Sequence, residues 1–131
     1  MWFYEHAVDR FTMSAMLHGP GASGEARRAV RSALAGHPEA SVETAALLAS
    51  ELVTNAVPHG DNGAMLAIEL HDPIVRISVT DVSDRMELAP LVVEPSSVHG
   101  RGLSIVDQLA GAWGVQPGRS GKTVWVELDV A

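Results

Sequence analysis

Two short alternating stretches on either side of a proline turn constrain this chain more than any other feature. Leu66, Ile68 and Leu70 alternate with Ala67 and Glu69, and Val75, Ile77 and Val79 alternate with Arg76, Ser78 and Thr80. Strand side chains point to opposite faces with a period of two, so each stretch has one apolar face and one mixed face. Asp72-Pro73 supplies the turn, and the pair reads as a β-hairpin. Its apolar face must be covered by another layer.

Helical segments can supply that cover. The stretch 24–35 places Ala26, Ala29, Val30, Ala33 and Leu34 at helical spacing, with Arg27, Arg28 and Arg31 mainly on the other side. Ser23 is its expected N-cap, Glu25 suits the positive end of the helix dipole, and Gly36-His37-Pro38 ends it. Ser41 is expected to cap a second helix with the stripe Val42, Ala45, Ala49, Leu52, Val53 and Ala56. Pro58 stops that helix by biasing Val57 away from helical geometry. A third helix is expected from about 102 to 112. Residues 113–117 and 122–129 then form a closing hairpin turned at Gly118-Arg119-Ser120-Gly121, with Val124, Val126 and Leu128 on one face. Residues 7–17 carry a weak strand signal. The stretch 82–99, with Pro90 and Pro95 and no period, reads as a long loop, a length usually functional or disordered in a compact domain. The expected class is α+β: a two-layer α/β sandwich, with a mixed, mostly antiparallel sheet and helices on one face.

Composition narrows the function. The 131 residues correspond to one domain, 1–131, with 1–20 as an N-terminal arm or strand. Trp2, Phe3, Tyr4 and Phe11 fit a strand packing on the domain edge, with a dimer contact as the alternative. There is no cysteine, which excludes disulfides, thiolate-bound zinc and a thiol nucleophile. Sixteen acidic against nine basic residues give a net charge of −7, which argues against direct nucleic-acid binding. No apolar run is long enough to span a membrane and the start is unlike a signal peptide, so a cytoplasmic protein is expected.

Three places could carry chemistry. Glu51 and Asn55 stand at i and i+4, on one face of the second helix. Spacing alone allows a solvated hydrogen-bonded pair. It also allows Asn55 to offer an oxygen to Mg2+ while Glu51 orients or deprotonates a nucleophile near a phosphate. Asp81 ends its strand on the same face as Val75, Ile77 and Val79. It is either a loop cap or a carboxylate that accepts from a purine amine. His99-Gly100-Arg101-Gly102-Leu103 opens the third helix, either as a tight turn or as a helix start that favours an anion, with Arg101 adding charge-assisted bonds. Gly118-Arg119-Ser120-Gly121-Lys122-Thr123 looks like the end of a P-loop. The glycine needed at 116 is Gln116, however, and a strand rather than a helix follows.

Taken in order, ELVTNAVPHG (51–60), VTDVSD (79–84) and GRGLSIVDQLAGAWGV (100–115), with the ending GKTVWVEL (121–128), resemble the N, G1 and G2 boxes of the GHKL (Bergerat) ATP-binding fold. The likeness is greatest to the anti-sigma factor serine kinases of the RsbW type and to related small actinobacterial ATP-binding regulators, over residues 20–129. It implies that the cofactors are ATP and Mg2+, with Asn55 as the metal ligand and Glu51 as the general base that activates an acceptor serine. Asp81 would bind the adenine amine. Gly100, Arg101, Gly102 and Leu103 would form the phosphate-side hinge of an ATP lid at 84–99. Many relatives carry a threonine near the adenine just after the glycine of the last hairpin; Lys122 stands there, and Thr123, the candidate left, faces by parity away from Val124, Val126 and Leu128. The usual Asp-x-Gly reads Asp81-Val82-Ser83, and Val98-His99 replace a glycine or arginine common in relatives.

The resemblance therefore implies a Mg-ATP-dependent serine/threonine kinase that phosphorylates a STAS-type anti-anti-sigma protein and sequesters a sigma factor, as a possible homodimer. The alternative is a nucleotide-binding partner-switch module with little or no kinase activity. A histidine-kinase fragment is a third reading, but the first 22 residues are too few for a phosphoacceptor hairpin.

Overall fold

The structure is a computed structural model that describes residues 2–7, 10–56, 63–82, 100–118 and 121–131, with the backbone alone for 2–7, 82 and 100–103. In chain order the elements are β1 (Trp2–Ala7), β2 (Arg10–Leu17), α1 (Ala22–Ala33), α2 (Glu39–Ala56), β3 (Gly63–His71), β4 (Ile74–Val82), α3 (Gly100–Leu109), β5 (Ala112–Pro117) and β6 (Lys122–Asp129). The strands form one six-stranded sheet in the order β1-β2-β3-β4-β6-β5. All of its pairings are antiparallel. The expected mostly antiparallel α/β sandwich is what forms, and no parallel pair occurs among the described residues.

The alternation read from the sequence is the alternation of burial. Ala64, Leu66 and Ile68 of β3 and Val75, Ile77 and Val79 of β4 are at most 1% exposed. Met13, Ala15 and Leu17 of β2, with Val124 and Val126 of β6, continue that face. Ala26, Ala29 and Val30 of α1, Ala45, Leu48, Ala49, Leu52 and Val53 of α2, and Val106 of α3 cover it. The opposite face carries Thr12, Ser14, Met65, Ala67, Arg76, Ser78, Thr123 and Trp125, all half-buried, with no described helix over it.

Three local readings need correction. The first helix starts at Ala22, its N-cap is Gly21 without a side-chain cap bond, and Ser23 lies inside the helix. Gly19 takes a positive φ of 80°, which glycine tolerates, and its carbonyl accepts from the Ala22 amide at 3.2 Å. Ala22 is 3% exposed, so burial of that residue outweighs the cap that Ser23 would have supplied. The second helix likewise starts before Ser41, at Glu39, with the Pro38 carbonyl accepting from Val42 at 3.0 Å. The third helix runs 100–109 rather than 102–112. The N-terminal strand signal resolves into a hairpin, β1 on β2, with Trp2 opposite Ala15 and His6 opposite Phe11. Pro58 and the expected lid at 84–99 lie outside the described residues.

Candidate functional site

The topology brings the ends of several elements to one end of the sandwich. His37, between α1 and α2, has Nε2 3.1 Å from Oδ1 of Asp72 in the β3–β4 turn. The start of α2 therefore sits at that turn. A helix of 18 residues is about 27 Å long, and a nine-residue strand about 30 Å. The last turn of α2, with Glu51 and Asn55, thus lies at the far end, where β4 finishes at Asp81. Gly63 opposite Val82 and Ala64 opposite Asp81 place the start of β3 there too. α3 joins β5 through Ala110 and Gly111 alone, and Ala112 pairs with Glu127 near the other end of the sheet. α3 packs against α2 and β5.

Two side chains at that end stand out by their burial. Nδ2 of Asn55 is buried and has no hydrogen-bond partner among the described residues. No hydrogen bond joins Asn55 to Glu51, so the solvated-pair alternative is not what forms. Oδ1 of Asp81 is also buried. Asp81 shares the helix-covered face with Val79, and its partner across the ladder, Ala64, is fully buried. Burying an amide edge without a partner costs free energy unless a ligand group completes it.

The helix ends differ in polarity. The last turn of α2 carries the negative end of the helix dipole, which suits a cation. The first turn of a helix such as α3 carries the positive end of the dipole, which suits an anion. No group of three or more His, Asp or Glu side chains able to hold a metal occurs among the described residues. The unpartnered Asn55 Nδ2 is a donor and suits an acceptor such as a phosphate oxygen, whereas Mg2+, which is held by one or two protein oxygens plus substrate phosphates, would take the Asn55 Oδ1.

Thr123 lies on the other face of the sheet, as its parity requires. It pairs with Thr80, the two hydroxyls are 2.7 Å apart, and both lie on the face away from the helices. The structure brings Glu51, Asn55 and Asp81 to one end, and Thr123 to the other side of the sheet. The side chains of Arg101 and Leu103 lie outside the description. The P-loop look-alike is a strand from Lys122 onward.

Two residues were not singled out by spacing. Arg27 is not on a solvent face alone: its Nη1 donates to Oγ of buried Ser50 at 2.8 Å, directly before Glu51. Gly121 packs on the backbone of Asp81 so tightly that a Cβ there would collide with the Asp81 carbonyl oxygen.

No family model matches the sequence, and neither does any curated protein. Among solved structures, the chain is similar to the crystal structure of the RsbU and RsbW domains of Rv1364c from Mycobacterium tuberculosis, with a TM-score of 0.64 and 23% sequence identity. The match covers 89% of this chain and 32% of that one, so this chain spans about a third of its length. The fold is an RsbW-like α/β sandwich. No helix among the described residues is long and apolar enough to cross a membrane.

Proposed function

We propose that this chain is a Mg-ATP-binding partner-switch regulator that acts as a serine kinase on a STAS-type anti-anti-sigma protein and thereby controls a sigma factor. The observation that carries the nucleotide half is the buried, unpartnered Asn55 Nδ2, a donor that a phosphate oxygen would complete, at the same end of the sandwich as the buried Asp81 carboxylate oxygen. The RsbW-like fold supports the partner half, and the string resemblance of residues 51–60, 79–84 and 100–115 supports both.

The residues would divide the work as follows. Asp81 accepts a hydrogen bond from the adenine amine on the floor of the site. Asn55 completes the coordination of Mg2+, whose charge offsets that of the phosphates. The amides of Gly100–Gly102 face the phosphates from the start of α3, with Arg101 as a charged donor and the 84–99 segment as the lid. Glu51, half-buried on the turn before Asn55, takes the proton of the acceptor serine hydroxyl. The site end of the protein is specialised for a ligand that is polyanionic at one end and aromatic with an amine at the other.

Incubation with γ-labelled ATP, Mg2+ and STAS proteins encoded near this gene tests the kinase. Label on a partner serine is expected, and Glu51→Ala should retain ATP binding while labelling falls by about 100-fold or more. ATP binding without any label on the STAS proteins would instead establish the binding module with little or no kinase activity. Unchanged labelling by the variant would remove Glu51 from the role of base.

A further inference from the structure

We infer that Gly121 is a positioning residue for adenine recognition, acting through the backbone of Asp81; this rests on the nucleotide reading above. On the β3 side Asp81 is in register with Ala64. On the β6 side the ladder ends one residue earlier, at Thr80 opposite Thr123. Beyond that point contact with Gly121 takes over. The position of an added Cβ on Gly121 overlaps the Asp81 carbonyl oxygen and lies 3.0 Å from the Asp81 carbonyl carbon and 3.8 Å from its Cα.

The neighbouring atoms there are backbone, which cannot swing aside as a flexible side chain can. Gly121 is itself pinned, because the Gly118 amide donates to its carbonyl at 2.7 Å and closes the β5–β6 turn. The turn therefore works as a stop against the end of β4. It fixes the direction from which the Asp81 carboxylate enters the helix-covered layer. A hydrogen bond to a purine amine depends on that direction, whereas phosphate contacts made from α2 and α3 do not.

The test compares ATP with inosine triphosphate, which has a carbonyl where adenine has the amine. Binding of each, with Mg2+, is measured calorimetrically for the full chain and for Gly121→Ala. The unmodified protein should prefer ATP by about tenfold or more, the scale of a hydrogen bond to a charged group. In Gly121→Ala the preference should collapse towards one, with inosine triphosphate bound as before. A merely structural glycine would weaken both nucleotides together and keep their ratio, and that result would overturn the inference.

If Gly121→Ala does not fold, Gly118→Ala displaces the same turn more gently, since its Cβ would lie 2.9 Å from the Gly121 carbonyl oxygen. It should lower the ratio in the same direction, and an unchanged ratio overturns the inference. Failure of the unmodified protein to bind ATP overturns the nucleotide reading and this inference with it. Binding with an unchanged ratio in the variants overturns this inference alone.

Discussion

Ser50 shows how a single hydroxyl ties the covering layer together. It is 7% exposed and accepts from Arg27 Nη1, so α1 is linked to α2 one residue before Glu51. Ser50→Ala would leave a half-buried guanidinium N–H without its acceptor. Chemical denaturation should show a loss of about 1–2 kcal/mol. A stability equal to that of the unmodified protein would mean that water satisfies Arg27 equally well. The helical period of α1 assigned Arg27 to the solvent side because a helical wheel knows only its own helix. The arginine stem is long enough to lie along apolar surface and deliver its head to the next helix. Gly121 was hidden for a related reason. Its role depends on a contact with Asp81, forty residues earlier in the chain, which no local pattern encodes.

Between elements, packing is dominated by α2 on the sheet. Leu52 is 1% exposed in the last turns of α2, and Leu52→Ala should cost about 2–5 kcal/mol through a cavity beneath the site. A loss under 1 kcal/mol in the same denaturation measurement would mean that the layer collapses to refill the space. On the open face, Trp125 lies over Gly114 on β5, where a Cβ would come within 2.8 Å of its ring, and Arg76 stacks on that ring at 4.1 Å from the centroid. Gly114→Ala is expected to displace the ring and cost about 1–3 kcal/mol.

The exposed Arg31–Glu43 pair, 2.9 Å apart, joins α1 to α2 at the surface. The Arg31 hydrogen bond holds the Glu43 carboxyl below its usual value, and the reciprocal bond raises Arg31. The contribution of Glu43 is therefore present above the ordinary carboxylate range and lost as the pH falls through the lowered folded value. Glu43→Gln and the unmodified protein should differ slightly in stability at neutral pH, differ less in high salt, and converge in acid.

The β3–β4 hairpin was legible because its strands are strictly alternating and half-buried, which gives a period of two. Helix starts were less legible. Ser23 and Ser41 are good caps, but Ala22 is buried in the core and Glu39 starts its helix from the Pro38 carbonyl. At these positions tertiary burial and proline geometry decide, and cap preference does not.

At the scale of the whole molecule, the fold explains how an acidic chain could hold a polyanion. A net charge of −7 repels ATP at a distance. Under the proposed reading the site would depend on local features: a cation beside the last turn of α2, the amides at the start of α3 and a few arginines. The order of the candidate strings along the chain was readable as a resemblance, since each marks the end of an element. That Glu51, Asn55 and Asp81 come to the same end of the sandwich follows only from the antiparallel course of α2 along the sheet, and that Thr123, at that end too, lies on the opposite face follows from its parity on β6.

Thermal unfolding with and without Mg-ATP tests the central claim most directly. A ligand bound to the folded state alone stabilises it by about 2.7 kcal/mol at a concentration one hundred times its Kd. Mg-ATP should raise the Tm of the unmodified protein by several degrees. Asn55→Ala and Asp81→Asn, each folded by circular dichroism, should show no such rise. A Tm of the unmodified protein that does not move at millimolar Mg-ATP would contradict the account.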